Sequence, residues 1–255
     1  LAEGLDSVSL SANWMWPCRS QKGEDARLYA AVKALSDFCC EIGVNVPTGK
    51  DSLSMSQQYP DGTKIIAPGT VIVSSGGEVN NVRGVVSPVI VNEKDTMLFH
   101  IDFSYDQHRL GGSALAQSLG YVGSDVPTVK NPTYFADAFD AVQELVQKGL
   151  LLAGHDISAG GLITTLLEMT FANKQGGLFV NIEGITDGDY VKSLFAENPG
   201  VVVQIRQADK QRFFEIMDEY EVQYAYIGCP DLTNYIESDD EYKAYIDKKK
   251  PLPRA

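Results

Sequence analysis

Polar and apolar positions alternate over residues 5 to 16, which predicts a strand that Pro17 ends, because proline has no amide to donate to a ladder. The period then changes. Leu28, Ala31, Leu35, Phe38 and Ile42 recur at helical spacing, in a helix that opens with Glu24 and Asp25 and closes at Gly43. Acidic residues in its first turn suit the helix dipole. Adjacent Cys39 and Cys40 point about 100° apart on such a helix, so at most one of them belongs to its buried stripe. A short apolar strand, Val44 to Val46, runs into Gly49-Lys50-Asp51-Ser52. Residues 52–59 and 64–75 then read as two strands joined by Tyr59-Pro60-Asp61-Gly62, the second rich in β-branched side chains. Gly, Asn and Pro gather over residues 76–95, the best candidate for a domain boundary.

From Met97 onward strands and helices alternate. Strands are predicted at 97–103, 150–155, 178–183, 200–206 and 223–228, with helices at 111–119, 132–149, after Ser158, near 188–196 and at 208–220. Asn131 caps the second of these helices, Pro132 opens it, and Phe135, Phe139, Val142 and Val146 form its expected inward stripe. This is an α/β pattern that leaves the strand order open. After Pro230 the chain turns polar, and Asp239-Asp240-Glu241 and Lys248-Lys249-Lys250 read as solvated, linker-like clusters.

Composition narrows the classes. With 255 residues, 44% hydrophobic and 22% charged, the chain is long and apolar enough for an ordinary core. A net charge of −13 disfavours nucleic acid and anionic membrane as partners. Cys18, Cys39, Cys40 and Cys229 show neither a CxxC pair nor metal-ligand spacing, which fits reduced thiols of a cytoplasmic protein. No apolar run is long enough to span a membrane, and no basic segment leads into an apolar one at the start. The chain opens at Leu1 directly before a strand, so a piece of a longer polypeptide is expected.

Two stretches carry chemistry. In Gly154-His155-Asp156-Ile157-Ser158-Ala159-Gly160-Gly161-Leu162 an apolar strand enters a polar turn and an amphipathic helix leaves it. Free amides at a helix start, glycines that allow close approach and a carboxylate at a strand end suit a Mg-nucleotide. An ordinary capped turn with Ser158 as N-cap fits the same residues. In Gly49-Lys50-Asp51-Ser52-Leu53-Ser54-Met55, Lys50 can neutralise a phosphate, Asp51 can hold Mg²⁺ and Ser52 can bond an oxygen. A solvated turn before a strand is the plainer alternative, and the order of residues is not that of a Walker A loop. Gly111-Gly112-Ser113 suits either a phosphate or, better, a plain glycine-rich cap. His100 and His108 have no metal-ligand neighbours in sequence, and His155 sits beside Asp156.

Taken together, Ser11-Ala12-Asn13-Trp14-Met15-Trp16-Pro17, the Gly49 to Met55 stretch and His155 to Leu162 resemble the second half of the large form of phosphoribosylformylglycinamidine synthase. Gly111-Gly112-Ser113-Ala114-Leu115-Ala116-Gln117 and Leu194-Phe195-Ala196-Glu197 follow in the same order, so the resemblance covers most of residues 5–229. The first two motifs are specific, and the third is shared with aminoimidazole ribonucleotide synthetase relatives. The resemblance implies an α/β (α+β), aminoimidazole ribonucleotide synthetase-like fold. Residues 1–92 would be an incomplete β-rich N-terminal subdomain, 93–235 a complete C-terminal α/β subdomain, and 236–255 a polar tail.

It also implies an ATP-dependent carbon–nitrogen ligase of the glutamine amidotransferase type in purine biosynthesis. Formylglycinamide ribonucleotide, glutamine and ATP would give formylglycinamidine ribonucleotide, ADP, phosphate and glutamate, with ATP phosphorylating the amide oxygen and ammonia displacing the phosphate. Mg²⁺ and ATP or ADP are the implied cofactors. By position, Asp156 resembles the Mg²⁺ ligand, Ser158 with Gly160 and Gly161 the nucleotide contacts, and Gly49, Lys50, Asp51 and Ser52 a loop near phosphates and substrate. The family often has an aspartate where this chain has Ala159, so no metal role falls there. The other metal ligands are expected upstream of Leu1 and the glutaminase nucleophile beyond Ala255, which leaves no catalytic residue here and an isolated chain that is inactive. Its partners would be the first synthetase half and glutaminase domain of the same polypeptide, or a second copy of the piece.

Two further readings stay open at this point. A selenophosphate synthetase-like or thiamine-phosphate kinase-like relative would share the third motif without the first two. A non-catalytic, nucleotide-clamped interaction module would self-associate or show a large apolar patch on its uncovered half-subdomain.

Overall fold

The computed structural model describes residues 1–18, 21–186, 188–231 and 236–238. The chain divides into two compact units, Leu1–Asn80 and Asn81–Ala255, ahead of the 92/93 boundary expected from sequence. Residues 81–92 join the second unit because Ile90 is buried there. Its amide donates to the Met169 carbonyl at 2.9 Å and its carbonyl accepts from Asn173 Nδ2 at 2.8 Å.

In the first unit β1 (Val8–Met15) lies between β2 (Asn45–Ser52), which runs parallel to it, and β5 (Thr70–Gly77), which runs antiparallel. Helix α1 (Glu24–Glu41) makes the crossover between β1 and β2. Leu28, Ala31, Leu35 and Phe38 on the helix and Ile42 at its C-cap are half-buried, Cys39 is buried and Cys40 exposed, in agreement with the expected stripe. The predicted long hairpin is shorter than its sequence pattern. Strands β3 (Ser56–Gln58) and β4 (Lys64–Ile66) form a separate two-stranded ladder, and the chain breaks at Pro68-Gly69 before β5 joins β1. Gly69 is needed there, since a Cβ would come within 2.5 Å of the buried Trp16 indole. All eight residues of β5 are exposed, among them the consecutive Val71, Ile72 and Val73. Successive strand residues point to opposite faces, so neither face of β5 is covered.

In the second unit the sheet order is β11-β8-β10-β6-β9-β7, from β6 (Thr96–Asp102), β7 (Leu151–Asp156), β8 (Gly177–Val180), β9 (Gly200–Arg206), β10 (Tyr224–Asp231) and β11 (Ile236–Ser238). Neighbours are antiparallel except β11 with β8. The expected polar tail therefore starts with a strand; Asp239 onward, with both charged clusters, lies outside the described residues.

Consecutive residues of β6 and β9 enter two different cores. Phe99, Ile101, Val203 and Ile205 pack with α3 (Pro132–Gln147) and α6 (Lys210–Glu219), while Leu98 and Val202 pack with α4 (Gly161–Phe171). A sheet between two helical layers is the result. On α3 the buried residues are Tyr134, Ala138, Ala141 and Leu145, with the expected Phe135, Phe139 and Val142 half-buried beside them. The inward face is turned by one residue because two alanines let the helix backbone approach the sheet. Gln204, fully buried, is satisfied by bonds to the Val91 carbonyl (2.7 Å), Thr96 Oγ1 (2.9 Å) and the Val91 amide (2.8 Å).

Across β9, Asp102 pairs with Gly200 and Asp156 with Val201. The chain segments that follow β6 and β7 therefore emerge at the same edge of the sheet. That edge carries the candidate site.

Candidate functional site

Strand β7 ends at Asp156, and the Ile157 amide still reaches the Gly200 carbonyl at 2.8 Å. Helix α4 then starts at Gly161 with Gly160 as N-cap. Ser158 is not the cap, contrary to the capped-turn reading; its carbonyl accepts from the Gly161 amide at 3.0 Å. Gly160 (φ +92°) and Gly161 (φ +74°) are both left-handed, and a Cβ on Gly161 would lie 2.7 Å from the Leu194 carbonyl oxygen. Glycine is required twice in succession. Thr165 Oγ1 donates to the Asp156 carbonyl at 3.0 Å and fastens the first turn of α4 to the strand end.

The Asp156 side chain is 73% exposed. His155 Nδ1 lies 2.8 Å from the Asp156 carbonyl oxygen and 3.3 Å from its Oδ1, and its Nε2 lies 3.4 Å from Glu168 Oε2. Ser158 and Ala159 are exposed, and among the described residues neither their amides nor the Ser158 hydroxyl makes a hydrogen bond. The Gly160 amide, by contrast, donates to Glu197 Oε1 at 2.8 Å. Gly160 and Gly161 thus give this turn its shape, with both amides engaged inside the chain. The free donors belong to Ser158 and Ala159.

Among the described residues no three His, Cys, Asp or Glu side chains come together as a metal cage. One exposed carboxylate and a hydroxyl still fit Mg²⁺ in its usual nucleotide setting, where one or two carboxylates share the ion with phosphates. Asp156 would be such a ligand.

The Gly111-Gly112-Ser113 turn before α2 (Ala114–Ser118) has no free donors. The Gly111 amide bonds the Asp125 carbonyl (2.8 Å), Gly112 that of Val122 (2.5 Å) and Ser113 that of Leu110 (3.1 Å), while Ala114 bonds Glu197 Oε1 (2.7 Å). It is a glycine-rich cap, with Ser113 Oγ accepting from Ala116.

Gly49-Lys50-Asp51-Ser52, expected as a loop, forms the C-terminal half of β2 in the first unit. Gly49 sits opposite Ala12, and a Cβ there would collide with the Ala12 carbonyl. Lys50 Nζ donates to Ser52 Oγ at 3.1 Å, and Lys50 and Asp51 are exposed on this edge strand.

Sequence reasoning missed the support beneath the sheet edge. Asp102 accepts from Ser104 Oγ (2.7 Å) and the Tyr105 amide (2.8 Å). Asp106, 1% exposed, pairs with Arg109 at 3.0 Å; burial works against its charge, yet hydrogen bonds from Arg109 and Gln107 and the charges of Arg109 and Lys130 hold its pKa low. His100 is buried beside them. Desolvation lowers its pKa to about 4 although Asp102 pulls the other way, so the ring is neutral at pH 7. A cavity of about 600 Å³ opens beside His100, and neither Asp156 nor Ser158 lines it.

Two family models match this chain: an FGAR-AT PurM N-like domain over residues 1–78 and the C-terminal domain of AIR synthase related proteins over residues 104–229. T. maritima PurL complexed with ATP superposes with a TM-score of 0.66 at 14% identity, over 96% of this chain and 37% of that one. T. maritima PurL complexed with FGAR gives 0.68 at 15%, over 94% and 38%. E. coli HypE, a hydrogenase maturation protein, gives 0.60 at 15%, over 96% and 75%. At such identities these structures establish the fold alone, and the fold is that of the AIR synthase-related class.

Within that class the sequence decides. The probable phosphoribosylformylglycinamidine synthase, chloroplastic/mitochondrial, of Arabidopsis thaliana is 36% identical over 226 residues, 88% of this chain and 16% of its own length. The chain belongs to the phosphoribosylformylglycinamidine synthase family.

Proposed function

We propose that this chain is a portion of the second synthetase half of a large-form phosphoribosylformylglycinamidine synthase, and that its own contribution is one wall of a Mg-nucleotide site. The observation that carries this reading is the turn after β7. It presents an exposed carboxylate, Asp156, followed by three unengaged donors on Ser158 and Ala159. Asp156 holds the metal, which neutralises phosphate charge when bound, and Ser158 and Ala159 bond phosphate oxygens. Within the first unit, Gly49, Lys50, Asp51 and Ser52 offer a cation, a carboxylate and a hydroxyl along the exposed edge strand β2, a set of groups suited to a phosphate or substrate. ATP and formylglycinamide ribonucleotide are ligands of the parent enzyme, and the first synthetase half and glutaminase domain its other parts.

Ligase activity needs the first synthetase half and the glutaminase domain of the parent enzyme, so the isolated chain has none, and a single carboxylate sharing the ion with phosphates leaves its Mg-nucleotide binding weak. Its location is cytoplasmic or, following the name of the Arabidopsis relative, organellar; no helix among the described residues is long and apolar enough to cross a membrane. A second reading, an interaction module held by a nucleotide clamp, is favoured by the uncovered β5, whose exposed Val71, Ile72 and Val73 suit packing against the other half or a second copy.

Mn²⁺-ADP tests the location of the site. Added to the ¹⁵N-labelled chain, it is expected to broaden the amide resonances of residues 156–159 first, before those of α6, which packs in the other core of the sheet. Uniform broadening, or broadening centred elsewhere, would refute the assignment.

A further inference from the structure

Glu197 and Asn198 link α5 (Tyr190–Phe195) to β9, and their side chains join segments far apart in sequence. One oxygen of Glu197 accepts from the Ala114 amide at 2.7 Å and the Gly160 amide at 2.8 Å, donors 83 and 37 residues away. Asn198, buried, donates to Ser104 Oγ and the Gln107 carbonyl, both at 3.1 Å, and accepts from the Arg109 amide at 3.4 Å. The turn that bears Asp156 and Ser158 and the turn before α2 therefore share a single carboxylate oxygen. Amide bonds to a charged acceptor are the stronger kind, and losing that acceptor would orphan two donors at once.

We infer that Glu197 is a positioning residue for the Asp156–Ser158 turn. It locks Gly160 to Ala114 so that the two turns move as one unit, and it occupies the Gly160 donor so that a phosphate is read by Ser158 and Ala159 instead. A phosphate seeking the Gly160 amide would have to displace a group of its own charge. The functional half of this inference rests on the nucleotide reading above, whereas the coupling of the turns rests on the hydrogen bonds alone.

The test compares the chain with Glu197→Ala and Glu197→Gln by amide NMR, hydrogen exchange and Mg-ADP titration. In Glu197→Ala the Gly160 and Ala114 amides should shift together and lose exchange protection. In Glu197→Gln, whose side-chain oxygen accepts the same two bonds, both should stay near their original positions. Mg-ADP affinity should fall about tenfold or more in Glu197→Ala, as for other groups that orient a metal ligand's surroundings, and recover in Glu197→Gln. A Gly160 amide that does not move in Glu197→Ala, or moves without Ala114, overturns the coupling. Unchanged Mg-ADP affinity alongside displaced amides overturns the positioning role. Failure of the unsubstituted chain to bind Mg-ADP counts against the nucleotide reading, and the paired amides still decide the coupling. Should Glu197→Ala not fold, Glu197→Asp, one methylene shorter, must displace both amides while keeping the charge.

Discussion

The two units hold their strands by different means. In the second, β6 and β9 send alternate residues into two cores, and Leu98, Phe99, Ile101, Val202, Val203 and Ile205 are at most 1% exposed. In the first, β5 is as rich in β-branched residues, and Ile72 is 52% exposed. Its ladder to β1 is complete from Val8↔Gly77 to Met15↔Thr70. Backbone pairing and β-propensity thus suffice to draw a strand, but its side chains supply little burial energy until something covers them.

The largest contrast is in core truncation. Leu166→Ala, at a fully buried position of α4, should cost about 2–5 kcal/mol, whereas Ile72→Ala on β5 should cost no more than about 1 kcal/mol. Denaturant unfolding with site-resolved hydrogen exchange measures both. Equal costs would mean that β5 is covered in solution.

Glycines sharpen the same contrast. Gly161→Ala must adopt φ +74° and push against the Leu194 and Ala196 carbonyls, for a loss of at least about 2 kcal/mol. Gly43→Ala, at φ +73° with open space around it, should lose only about 1 kcal/mol, and thermal denaturation of each variant gives the comparison.

A smaller, pH-dependent difference comes from His100. Its folded pKa, about 4, lies below the ordinary 6.5, so on acidification the unfolded chain takes up the proton first. Stability of the second unit should be steady above pH 6.5 and fall between 6.5 and about 4, with a slope of at most roughly 1.4 kcal/mol per pH unit from this group. His100→Gln should remove that slope. The first unit contains no histidine and should lack it. Smallest of all should be the effect of Ile72→Lys on folding, although sedimentation should show less self-association than the unsubstituted chain if β5 is the contact face.

Local patterns were legible in the sequence, and long-range partners were not. The α1 stripe, the Asn131 cap and the strand–turn–helix at 150–171 follow from periodicity and capping, and each is present. On α3 the expected Phe135, Phe139 and Val142 do pack on the core, but bulk conceals that the most buried positions, Ala138 and Ala141 among them, lie one residue earlier, where small side chains sit closest to the sheet. Gly49 to Ser52 looked like a loop because glycine, lysine and aspartate are poor strand formers; pairing with β1 across the α1 crossover overrides that preference. At the candidate site Asp156 and Ser158 stand out by residue type, yet the engagement of Gly160 depends on Glu197, which no local pattern connects to it.

Calorimetry of Mg-ADP with the 255-residue chain, beside Asp156→Ala, tests the central claim most directly. The account predicts weak binding that Asp156→Ala abolishes while its thermal denaturation stays close to that of the unsubstituted chain. Equal Mg-ADP binding by both proteins would contradict it.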